Sequence, residues 1–121
     1  MTKDQILKLI EYISGFHPDV PHGAALIMIS KAWYGFFADR IPDRFAAMGV
    51  ACGGDDFTVA LTRLQNECSV DQLKMSDFGI TREELPAIND SAWETMGGLF
   101  QLDRIPLTPA DSLAILEKSF R

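Results

Sequence analysis

The sequence predicts an all-α protein, one helical domain over residues 1–121 made of about six helices. Three observations carry that expectation. Apolar residues recur at helical spacing, and no alternating strand pattern of useful length occurs. Capping residues and prolines mark a series of helix starts. One stretch, Gly15 to Phe37 (GFHPDVPHGAALIMISKAWYGFF), feeds a proline-bounded loop into a segment with almost no polar face, the mark of a helix surrounded by protein.

The first helix is expected from Lys3 to Ser14. Thr2 and Gln5 form a capping box, Ile6, Leu9, Ile10 and Ile13 share one face, and Gly15 ends it. Pro18 and Pro21 keep Phe16 to Val20 extended or turning, which puts His22 at the mouth of the apolar helix. That helix holds Leu26, Ile27, Met28, Ile29, Trp33, Tyr34, Phe36 and Phe37 and breaks at Asp39-Arg40-Ile41-Pro42. Pro42 suits a first helical position, so PDRFAAMG should be a short helix closed by Gly49.

Gly53-Gly54 signals a turn. Asp55 or Asp56 can then cap a helix whose inward stripe reads Phe57, Ala60, Leu61, Leu64 and Cys68, which makes Cys68 a core residue. Ser69 to Gly79 is less periodic. A second capping box, Thr81 with Glu84, opens a helix marked by Leu85, Ile88, Ala92 and Met96 and expected to stop at Gly97-Gly98, with Pro86 tolerated in its first turn. After LFQLDRIPL, Thr108 and Pro109 start the last helix, with Leu113, Leu116 and Phe120 facing inward.

Composition narrows the function. A hydrophobic content of 47% over 121 residues supplies one core. The net charge of −6 is scattered and no lysine or arginine run occurs, which argues against nucleic acid or an acidic membrane surface as partner. The apolar helix, roughly 15 residues and interrupted by Ser30 and Lys31, falls short of the roughly 20 that cross a bilayer. The amphipathic start lacks the pattern of a secretory leader, and Cys52 and Cys68 form no CxxC pair, so reduced thiols and a cytoplasmic location are expected.

Few residues offer chemistry. His17 and His22 are the only histidines, with Asp19 between them. Imidazole and carboxylate suit zinc or iron, yet this spacing is no helical ligand pair, and a helix-start or backbone-bonded histidine explains it as well. ACGGDD and METMGGLF lack the order and flanking elements of a phosphate loop and read as turns. No nucleophile elbow is present, and neither cysteine has a histidine near it in sequence.

The run ISGFHPDVPHGAALIMIS resembles a metal-ligand segment of the iron-containing alcohol dehydrogenases, in which the histidine of a P-H-G motif opens a buried helix. DRFAAMGV, DFGITREELPAINDSAWETMGGLF and LTPADSLAILEKSFR are similar to the C-terminal helical domain of that family in the same order, so the resemblance covers the chain from about Leu7. It implies the dehydroquinate synthase-like helical bundle. It also implies a parent enzyme that oxidises alcohols with NAD(P) and an iron or zinc ion acting as Lewis acid. On that pattern His22 is a metal ligand position. Two other family histidines, one a ligand and one close to the nicotinamide, fall where this chain has Leu7 and Glu11.

The resemblance thus implies a helical domain without its nucleotide-binding domain, keeping one vestigial ligand position. It is expected to be inactive alone, with no metal and no NAD(P) in the isolated chain. Alternatives are an interaction module on the same scaffold, or half of a divided dehydrogenase completed by a separate nucleotide-binding chain. An apolar face near His22, Leu7 and Ile10 on the first two helices is expected to drive homo-oligomer formation.

Overall fold

A computed structural model describes residues 19–54 and 56–121, except for the side chain of Met96. The first predicted helix, with Leu7, Ile10 and Glu11, lies outside the described residues, as does His17. Within them the protein is all-helical and contains no strand. Five α-helices stand where the periodicity and caps place them: α1 His22–Arg40, α2 Pro42–Ala51, α3 Phe57–Glu67, α4 Leu85–Phe100 and α5 Pro109–Ser119. Two 3-10 turns, Met75–Phe78 and Arg82–Glu84, join α3 to α4.

The apolar helix α1 is the centre of the arrangement. It packs against α5 on one side and against α2 and α3 on another, while α4 covers α5. Ala25, Met28, Ile29, Trp33 and Phe37 form its buried stripe. Most of its other apolar residues are half-buried, as expected of a helix with neighbours on several sides. At 19 residues it is longer than the sequence suggested. No helix among the described residues is long and apolar enough to cross a membrane.

Local chemistry sets the boundaries. Pro21 is the N-cap of α1 in an extended conformation (φ −60°, ψ 139°), and Ile41, kept out of the helical region before Pro42 (φ −131°, ψ 62°), ends it while donating its N–H to the Phe37 carbonyl at 2.8 Å. Asp56, not Asp55, caps α3: its carboxylate accepts the Thr58 N–H at 2.9 Å and also the Thr58 hydroxyl. The boxes at Thr81 with Glu84 and at Thr108 with Asp111 are both formed.

Three expectations are corrected. Gly49 does not close α2, which continues to Ala51; the chain turns instead at Gly53 and Gly54, where φ is 108° and 94° and glycine is favoured. Gly97-Gly98 does not stop α4, which runs on to Phe100. The absent side chain at Gly97 leaves room for the Trp93 ring, since a Cβ there would sit 2.9 Å from Trp93 Cε3. That ring stacks on Phe100 with centroids 4.8 Å apart.

The third correction concerns Cys68, which is exposed and not core, as is Cys52; both are free thiols. The helix ends at Glu67, and Cys68 lies beyond it where the chain swings away through Ser69 at a positive φ of 59°. Leu64, assigned to the same stripe, is 55% exposed, and Gln65 takes the inward position. Its amide donates to Ser30 Oγ at 2.8 Å, and Ser30 donates to the Ile27 carbonyl, so a polar pair joins α3 to α1.

A second buried network ties α4 to α5. Trp93 Nε1 donates to Ser112 Oγ at 2.7 Å, Ser112 donates to Asn89 Oδ1 at 2.5 Å, and Asn89 Nδ2 donates to the Pro109 carbonyl at 3.0 Å. Arg121 fastens the irregular segment after α3, its guanidinium donating to the Asp71 and Leu73 carbonyls at 2.9 and 3.0 Å.

Candidate functional site

The residue the sequence singles out is His22. A proline immediately before it and the unbroken helix after it fix its backbone: His22 is the first residue of α1, and the first turn is closed by Ala25 N–H donating to the Pro21 carbonyl at 3.1 Å. Val20 anchors the approach, 4% exposed in the core, while Asp19, Pro21, His22 and Gly23 face solvent. The side chain thus projects from a rigid helix start into an open setting.

Such a position is sterically free to join a larger site, but it does not make one. Among the described residues no three His, Cys, Asp or Glu side chains converge to hold a metal ion. Asp19, three positions away, is the acidic residue described nearest to His22 in sequence. One exposed imidazole does not fit a catalytic metal, which takes three protein donors and keeps a position open. Leu7, Glu11 and His17 lie outside the described residues.

Sequence reasoning missed two surface features. One is an apolar groove of about 340 Å³ between α1 and α3, lined by Leu26, Ile27, Leu61, Leu64, Cys68 and Val70 among others. The second is a cleft at the far end of α1 beside Arg44 and Arg104. The groove arises because Leu64 and Cys68 fall outside the inward stripe, a shift set by the distant Ser30 to Gln65 contact.

The described residues thus form an all-α bundle around one buried central helix, a fold with counterparts among solved structures. Two crystal structures of an archaeal halo-thermophilic Red Sea brine pool alcohol dehydrogenase, ADH/D1, superpose on 95% of this chain with a TM-score of 0.77 and 23% identity. One is a ligand-bound form and the other a histidine-to-alanine mutant. The matched region is 32% of that enzyme, so this chain spans about a third of its length. No protein-family profile matches the chain, and no curated protein matches it.

Proposed function

We propose that the chain is the helical domain of an iron-containing alcohol dehydrogenase-like protein, and that these 121 residues do not oxidise alcohols by themselves. Catalysis of that type needs a nucleotide-binding part, in the same polypeptide or in a separate chain, to place NAD(P) against the substrate. The supporting observation is the donor inventory at the start of α1. His22 occupies the P-H-G position, exposed on a fixed backbone, while Leu7 and Glu11 stand where the resemblance places histidines. A leucine cannot coordinate, and His22 with Glu11 gives two donors where three are needed. What the domain retains is shape: a long buried helix with an imidazole at its mouth.

Metal analysis of the purified chain, with His22→Ala as control, tests this. The expected result is substoichiometric metal that is unchanged in the variant. Tightly held iron or zinc lost on substitution would overturn the reading, as would micromolar NAD(P)H binding to the chain alone.

The groove between α1 and α3 favours a second reading, a homo-oligomeric interaction module. Leu64 stands 55% exposed there beside half-buried Leu26, Ile27 and Leu61. Light scattering should then show concentration-dependent association that Leu64→Lys abolishes; a strict monomer at high concentration refutes it.

A further inference from the structure

At the end of α1 remote from His22, about 22 Å along the helix axis at 1.5 Å per residue, α1, α2 and the loop after α4 enclose a cleft of about 400 Å³. Its apolar wall is formed by Tyr34, Phe37, Phe45 and Met48, and Arg44 and Arg104 are at its polar side. Phe37 and Phe45 are core residues, 1% and 5% exposed, and Tyr34 stands edge-on to Phe45 with centroids 6.3 Å apart, so this wall is fixed by packing.

The two arginines differ from the rest. Arg40 donates to the Phe36 carbonyl and lies over the Phe36 ring, Arg63 reaches the Cys52 carbonyl, Arg82 lies over Phe120, and Arg121 holds two carbonyls. The guanidinium groups of Arg44 and Arg104 are exposed and form no hydrogen bond or ion pair among the described residues. Asp103 also lines the cleft, but its Oδ1 accepts the Arg104 N–H at 2.8 Å and its Oδ2 is buried. Two guanidinium groups thus face one carboxylate, so the cleft carries a net positive charge on a chain whose net charge is −6.

We propose that this cleft is a binding site for a small organic carboxylate with an apolar tail. The tail would lie against the half-buried Tyr34, Ile41 and Met48, which Phe37 and Phe45 back from the core, and the carboxylate would meet the planar donor forks of Arg44 and Arg104. The volume suits such a molecule, since pockets for small organic ligands begin near 300 Å³. The site is independent of any dehydrogenase chemistry at His22.

Titration of the full chain with 4-phenylbutyrate and with its neutral analogue 4-phenylbutan-1-ol, followed by NMR, tests this. The acid should bind about ten-fold more tightly than the alcohol, the strength of one charge-assisted contact, with shifts centred on Tyr34, Phe45 and Met48. The preference should shrink with added salt in the unmodified protein and vanish in the double variant R44Q/R104Q, whose exposed substitutions leave the core intact by circular dichroism. Equal affinity for acid and alcohol, shifts centred elsewhere, a preference unchanged in the double variant, or no binding at millimolar concentration would each overturn the proposal.

Discussion

The two tryptophans of this domain sit in contrasting surroundings. Trp93, on α4, is half-buried, stacks on Phe100, and donates its indole N–H to Ser112 on α5. Trp33, on α1, is 1% exposed and packs beside Phe37, yet among the described residues nothing accepts its buried N–H. The α4 and α5 side is thus held by direction-specific polar bonds, whereas Trp33 on α1 is held by apolar contact. A buried polar group without a partner costs stability, and a satisfied one fixes geometry. The difference teaches that the terminal pair of helices has one preferred register, set by the Asn89, Trp93 and Ser112 network, while α1 relies on shape and on the Ser30 to Gln65 pair.

The sharpest way to break the contrast is Ser112→Ala. It strands the Trp93 N–H and the Asn89 oxygen together, and should cost about 3 kcal/mol, measured by urea denaturation. Gly97→Ala attacks the same region by sterics. The new Cβ meets a ring held by both stacking and a hydrogen bond, and the overpacking should outweigh the gain in helix propensity for a net loss of about 1 kcal/mol. Substituting each tryptophan by phenylalanine sharpens the comparison. Trp93→Phe should be more destabilising than Trp33→Phe by about 1 kcal/mol, because only the first leaves a hydrogen-bond partner behind.

The smallest effect concerns Asp56, at the start of α3. Its carboxylate is held below its ordinary value of 3.8, first by the Thr58 hydroxyl and next by the Thr58 N–H, both of which bond to the charged form. A folded-state value below the unfolded one means that the cap's contribution is complete above the ordinary aspartate range and is lost as pH falls through the lowered value. NMR titration should place the Asp56 midpoint below 3.8, and Thr58→Ala should move it upward.

What could be read from the sequence was local. Thr81 with Glu84, Thr108 with Pro109, and Pro42 each act within one turn of themselves, so these helix starts followed from short-range rules. Cys68 falls outside the core because the helix ends at Glu67 and the chain swings away at Ser69, while Gln65 takes the inward position by meeting Ser30, 35 positions away. The ends at Gly49 and Gly97 differ from expectation because both glycines lie inside a helix, Gly49 buried and Gly97 beneath the Trp93 ring, which spacing alone does not distinguish from a stop. Of the candidate site, the helix start at His22 was legible from Pro21 and the apolar run after it. The cleft at Arg44 and Arg104 was not, since its two cations come from segments far apart in the chain.

The grip of Arg121 on the carbonyls of Asp71 and Leu73 gives that one side chain influence over a distant irregular segment. Its own carbonyl also receives the Ser76 N–H at 3.0 Å, so residue and segment are laced in both directions. Substituting Arg121 by alanine would untie the side-chain half of that lacing and speed amide exchange around Ser76, with the buried helices left as they were.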